Sequence, residues 1–178
     1  MRLNNRFQMP CQMIFRSTIV IVALSFFANC AQSDGYERLL YLKDFQKLGQ
    51  RACDENKVMV VMVSRESCPY CVKLKKEIFV PEVKYGELND RWLLRELLID
   101  SGDKHIDFNG KEIESVKYAM SIKATLTPTV LFLDKTGKEI GKRIVGTGGA
   151  LEFYDFYLKR SINQALENQE CLQTNSNT

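Results

Sequence analysis

The chain of 178 residues carries one histidine, one tryptophan and four prolines. With a single His and no second Cys-x-x-Cys pair, it lacks the four ligands that a structural zinc site closes around. An excess of positive charge is missing too. The formal charge is +3, but Arg2, Arg6 and Arg16 all precede the first acidic residue, Asp34. Beyond them the remaining lysines and arginines equal the 22 aspartates and glutamates, so nothing argues for a nucleic-acid partner. The cluster Gly146-Thr147-Gly148-Gly149 lacks the Lys-Ser/Thr that follows a phosphate-binding loop and reads as a strand-to-helix turn. At this length, with 45% apolar content, one domain with an ordinary core is expected.

What is present begins with a leader. Three arginines lie within Met1 to Arg16, and Thr18 to Ala28 is apolar apart from Thr18 and Ser25, as in a signal peptide. Residues 1–31 are therefore expected to be a signal peptide or lipoprotein leader, and the chain to be exported to a bacterial periplasm. Phe27-Ala28-Asn29-Cys30 resembles a lipobox, which makes Cys30 a candidate lipidation site, although Asn29 stands where a small residue is usual. The alternatives are ordinary cleavage nearby, or retention of the uncharged stretch Ser17 to Ser33 as an anchor, at the short edge of a membrane span. Cys11 reads as an incidental leader residue.

The centre of the chain is Ser67-Cys68-Pro69-Tyr70-Cys71, between the apolar run Val58 to Val63 and a helix-forming segment from Val72. Pro69 suits the first position of a helix. That places Cys68 at a helix N-terminus, where unpaired N–H groups and the helix dipole favour a thiolate. Cys68 reads as a redox nucleophile and Cys71, one turn on, as its resolving thiol. Past the leader only Cys53, Cys68, Cys71 and Cys171 remain, an even number in a compartment where disulfides persist. Cys53 and Cys171 are candidate partners for a disulfide tying the two ends of the domain. Two free thiols are the alternative.

Along the chain, Tyr36 to Ala52 predicts an amphipathic helix through Tyr41, Phe45, Leu48 and Ala52. Lys57 to Val63 predicts a strand covered on both faces, at the sheet centre. The dithiol helix is expected to run to about Val80, where Pro81 ends or kinks it, with Lys73, Lys75 and Lys76 on a solvated face. Trp92 to Ile99 predicts a second strand, interrupted by Arg95 and Glu96, which should emerge at an edge or pair; a proton relay through Glu96 is a second reading. His105 to Phe108, Asn109-Gly110 and Lys111 to Glu114 predict a hairpin insertion with a type I′ turn and His105 as an ordinary loop residue. Glu114 to Ala124 predicts a short helix with Val116, Ala119, Met120 and Ile122 inward. Thr127-Pro128 leads the strand Val130 to Leu133, Lys138 to Val145 returns antiparallel, and Leu151, Tyr154, Leu158, Ile162 and Ala165 line a closing helix. Residues 169–178 read as a mobile C-terminal tail.

This order, with Cys68-Pro69-Tyr70-Cys71 and Thr127-Pro128 as its two motifs, resembles the thioredoxin superfamily and its small periplasmic members of the SoxW type. The resemblance implies an α/β, thioredoxin-like fold over residues 32–168, with a mixed sheet flanked by helices. It implies a cis-proline at Pro128 facing the dithiol, Thr127 and Pro128 as the substrate-docking edge, and thiol-disulfide exchange on a disulfide-bearing protein. Two departures stand out: thioredoxin usually has Trp where Ser67 stands and an acid where Met62 stands, which puts a thioredoxin-type buried proton acceptor in doubt. Pro69-Tyr70 between the cysteines instead resembles glutaredoxins, whose potentials near −200 to −230 mV are less reducing than thioredoxin's, about −270 mV. A dimerisation domain like that of periplasmic isomerases has no room before the dithiol, so a monomer without a resident cofactor is expected. A reductase recharged by a membrane electron donor is the preferred reading. An oxidase or isomerase of the same fold, and a Cu(I) metallochaperone using Cys68 and Cys71, are the rivals.

Overall fold

Residues 41–86, 88, 90–147 and 151–171 are described by the computed structural model. The expected leader with Cys11 and Cys30, the start of the predicted first helix at Tyr36, Gly148-Gly149 and residues 172–178 lie outside them. Among the described residues no helix is long and apolar enough to cross a membrane.

Seven consecutive buried residues, Val58–Ser64, form β1 in the interior of a four-stranded sheet, which runs in the order Trp92–Leu98, Val58–Ser64, Thr129–Leu133, Glu139–Val145. β2 (Trp92–Leu98) lies parallel to β1, whereas β5 (Thr129–Leu133) and β6 (Glu139–Val145) run antiparallel to their neighbours. The sheet is therefore mixed, with helices on its faces, as expected for a thioredoxin-like α/β fold. Successive side chains of β1 alternate between faces. Met59, Val61 and Val63 join Phe45, Leu48 and Ala52 of α1 (Phe45–Asp54) and Tyr118 and Ala119 of α4 (Ser115–Ser121) in one buried cluster. The opposite face carries the dithiol helix and α5 (Tyr154–Glu167), whose buried stripe is Tyr154, Leu158, Ile162 and Ala165. α5 comes close to β6 at Gly141, where an added Cβ would lie 2.6 Å from the Ser161 carbonyl oxygen.

Several predicted elements change shape for identifiable reasons. Residues 41–44, predicted as helix, are not helical, and α1 starts at Phe45: Asp44, extended at φ −153°, caps it by accepting from the Lys47 N–H at 2.8 Å. Before that cap the chain is a strand-like edge, with the Leu42 N–H donating to the Glu96 carbonyl and the Ile106 N–H to the Lys43 carbonyl. Tyr41 thus stands exposed, although its spacing matched the helix stripe. The dithiol helix does not stop at Pro81. It runs as α2 (Pro69–Leu74), a π-helical turn (Lys75–Phe79) and α3 (Val80–Tyr85). The Val80 N–H reaches back five residues to the Lys75 carbonyl, and this wider turn admits a proline ring that a regular helix would force against the carbonyl four residues earlier.

The hairpin pairs β3 (Lys104–Ile106) with β4 (Glu112–Glu114). Its loop spans 107–111, not the two residues of a type I′ turn. The Asp107 carboxylate accepts from the N–H groups of Asn109 and Lys111, both at 2.8 Å, and only Gly110 (φ +76°) is left-handed. A type I turn closed by a left-handed glycine results. His105 is buried in β3 rather than looped out. Its ring packs edge-on to Phe45 and Tyr118, and Nδ1 lies 3.2 Å from the Ser115 hydroxyl. Burial pushes the His105 pKa below its ordinary value. In α4, Ala119 and Tyr118 face inward while Met120 is exposed.

Candidate active site: a dithiol at the end of the central strand

β1 delivers the chain to Cys68, which caps α2 in an extended conformation (φ −102°, ψ 100°) with Pro69 in the first turn. The Cys71 N–H, which also donates to the Cys68 carbonyl, reaches Cys68 Sγ at 3.1 Å, so an amide of the first helical turn points at the sulfur that would carry negative charge. Cys68 is 8% exposed and Cys71 wholly buried. The two are bonded, with Sγ–Sγ 2.08 Å and Cα–Cα 5.2 Å. The loop just before the dithiol is gripped from β2's end, where the Asp100 carboxylate accepts from the Glu66 N–H at 3.0 and 3.2 Å. Tyr70, between the cysteines, is 63% exposed.

Thr127 and Pro128 come to the same end of the sheet. The peptide bond joining them is cis, and the Cα register of β5 against β1 sets Thr129 opposite Val63. The Pro128 carbonyl accepts from the Gly146 N–H at 2.7 Å, and the Thr129 hydroxyl donates to the Leu126 carbonyl. Pro128 is buried, Thr127 half-buried and Leu126 exposed. Cys53 and Cys171 are also bonded, with Sγ–Sγ 2.03 Å and Cα–Cα 5.3 Å. Their bond sits at the other end of β1, where Gln169 Nε2 donates to the Lys57 carbonyl at 3.0 Å. Seven strand residues separate the two ends by roughly 20 Å. Residues 169–171, predicted as the beginning of the tail, are thereby fastened to the domain.

A polar network beneath the dithiol helix was only half visible from sequence. Glu96 is 3% exposed, and it is paired rather than emerging at an edge. Its carboxylate accepts from Lys75 Nζ at 2.8 and 3.1 Å and from the Ser64 hydroxyl at 2.5 Å. Lys75 therefore does not belong to a solvated face. It lies four residues after Cys71, and that spacing, which puts both on one side of a helix, was the available signal. Ser64 gave none. Arg95 is part-buried, donates to the Leu94 carbonyl, and is pushed by burial below the ordinary arginine pKa. Among the described residues no group of three or more His, Cys, Asp and Glu side chains is placed to hold a metal ion.

The fold and the strand-end dithiol define a thioredoxin-like protein. The sequence profile of the thioredoxin-like domain matches residues 45–159, most of the chain, and the protein belongs to that family. Among solved structures it is similar to the DsbH oxidoreductase, with 14% identity, 70% of this chain and 85% of that one covered, and a TM-score of 0.53. The periplasmic thioredoxin SoxS of Paracoccus pantotrophus matches at 21% identity over 61% of this chain and 99% of its own, with a TM-score of 0.41. A poplar thioredoxin h matches at 19% over 64% and 84%, with a TM-score of 0.44. These likenesses concern the fold. No curated protein matches the chain.

Proposed function

We propose that the protein is an exported thiol-disulfide oxidoreductase that reduces disulfides in a protein substrate, in the manner of periplasmic SoxW-type thioredoxin-like proteins. The observation that carries the reading is the asymmetry of the two cysteines. Cys68 keeps 8% exposure and receives an N–H at the helix start, whereas Cys71 is fully buried. In the reduced protein the Cys68 thiolate attacks one sulfur of a substrate disulfide docked at Thr127 and Pro128. A mixed disulfide forms and the substrate's other sulfur leaves as a thiolate that takes up a proton. Cys71 then loses its proton and attacks Cys68 Sγ, releasing the second substrate thiol and the bonded Cys68–Cys71 form. Two electrons pass from the dithiol to the substrate, and a membrane dithiol donor returns them.

Export rests on the leader pattern of residues 1–31, with Cys30 as a candidate tether, and the Cys53–Cys171 bond suits an oxidising compartment. Residues 32–168, with the fastened residues 169–171, then constitute the working domain, acting as a monomer without a cofactor. The test is covalent trapping together with the potential. Cys71→Ser should capture substrate through Cys68, and Cys68→Ser should capture little; equal capture refutes the assignment. Equilibration with glutathione buffers should give a potential in the reducing range, and a value near −120 mV, that of DsbA, refutes the direction.

A further inference from the structure

Between β6 and α5 runs an open groove of about 800 Å³. At one end it is walled by Val145, Phe156 and Tyr157, all exposed, and further along by Lys142 and Arg160. We infer that this groove receives an acidic flank of the disulfide-bearing partner, an inference that rests on the proposed exchange at Cys68.

Position argues for this first. Val145 stands opposite Thr129 in the sheet and Gly146 bonds to Pro128, so the apolar end of the groove opens beside the docking edge. The walls are also fixed. Gln164 Oε1 accepts from the Lys142 N–H at 3.1 Å, and the Ser161 hydroxyl donates to the Lys142 carbonyl at 2.8 Å. These bonds, with a third from Asn168 to the Ile140 carbonyl, occupy edge groups of β6 that would otherwise pair with an added strand. A partner segment is therefore held by side chains rather than by extending the sheet.

Charge then selects the segment. Arg143 is engaged by Glu139, and Lys159 by Asp155. Lys142 and Arg160 enter no ion pair among the described residues and face the groove, with Glu167 at its far end. Lys142 lies three strand residues, about 10 Å, from Val145. Arg160 lies one helical turn, about 6 Å, from Phe156. An extended partner passing Pro128 advances about 3.3 Å per residue. Its acidic side chains belong about three to six positions from the reacting cysteine, after apolar ones that rest on Phe156 and Tyr157.

The test uses the full-length protein and two disulfide-linked peptides that differ only in Glu or Gln at those positions. At low ionic strength the Glu peptide should be reduced about five-fold more efficiently, the scale of two exposed ion pairs. About 0.5 M salt should erase the difference. In the variant Lys142→Glu/Arg160→Glu the preference should reverse. Cysteine-to-serine versions of the peptides, titrated into 15N-labelled protein, read the groove without any redox step: amide shifts should fall on β6 and α5 for the Glu peptide only. Equal handling of the two peptides, a preference that survives the double variant, or a dimer of this chain that the double variant abolishes would each overturn the inference. Hydroxyethyl disulfide, too small to reach the groove, separates the readings. If the wild-type protein fails to reduce it, the proposed exchange fails, while the serine-peptide shifts still decide the groove.

Discussion

Replacing Lys75 with methionine should be among the costliest single changes on the dithiol helix, although sequence places Lys75 among exposed lysines. The Glu96 side chain is 4% exposed and that of Lys75 25%. Without the ammonium, the carboxylate keeps one neutral donor, the Ser64 hydroxyl. Removing one partner of a buried pair costs about 3–5 kcal/mol because a charge is left uncompensated. Partial solvent access at Lys75 points to the lower end, about 3 kcal/mol, a large share of a domain's usual 5–15 kcal/mol. Urea unfolding of the oxidised protein at neutral pH, with the slope unchanged, should show the midpoint falling by about 1–3 M. The double variant Lys75→Met/Glu96→Leu should recover most of the loss, since apolar replacements of a buried pair are often neutral or stabilising. A Lys75→Met protein within about 1 kcal/mol of wild type, or a double variant as unstable as the single, would show that the pair is not buried as described.

Three further expectations concern the frame around the site. Cys53→Ala/Cys171→Ala should lower stability by up to about 4–5 kcal/mol, because the bond closes a loop across a sequence separation of 118 residues; thermal unfolding measures it, and a change below about 1 kcal/mol would mean the chain ends are held otherwise. Gly141→Ala should cost about 1–3 kcal/mol by pushing α5 off β6, read by the same assay. His105 favours its neutral form in the fold, so its contribution is complete above the ordinary value of 6.5 and is lost as pH falls through the lowered folded value. His105→Phe should therefore flatten the stability profile between about pH 5 and 7; an unchanged slope there would assign the acid sensitivity to another group.

The parts of the fold legible in the sequence were those set by local pattern. The valine-rich run of β1, the stripe Tyr154, Leu158, Ile162 and Ala165, and the strand-dithiol-helix order all follow from burial periodicity, and the structure realises each. What escaped was decided by partners distant in sequence. Tyr41 keeps the helical period, yet hydrogen bonds from its segment to Glu96 and Ile106 hold it extended. Pro81 obeys its local rule only after the π turn has moved the carbonyl it would strike. Lys75 reads as solvated until β2 brings Glu96 beneath it, and His105 reads as a loop residue until α1 and α4 close over it. The Cys68–Cys71 and Thr127-Pro128 motifs were visible, and their meeting at one sheet end was expected only through the family resemblance, because it is a property of register, which composition does not carry.

The two disulfides stand at opposite ends of one strand, each beside a different end of a helix. Cys68 begins a helix at the exit of β1, with the Cys71 N–H at its sulfur. Cys53 sits in the last turn of α1, just before the entry to β1, at the negative end of the helix dipole, where a thiolate is disfavoured. A sulfur whose thiolate is stabilised is the better leaving group, and a disulfide built on it is reduced at a higher potential. Under graded dithiothreitol, Cys68–Cys71 should therefore open first, with Cys53–Cys171 holding until the domain unfolds. Alkylation followed by peptide mapping reads the order directly. Simultaneous opening of both would mean that the helix ends do not set the difference, and that accessibility alone governs which bond exchanges.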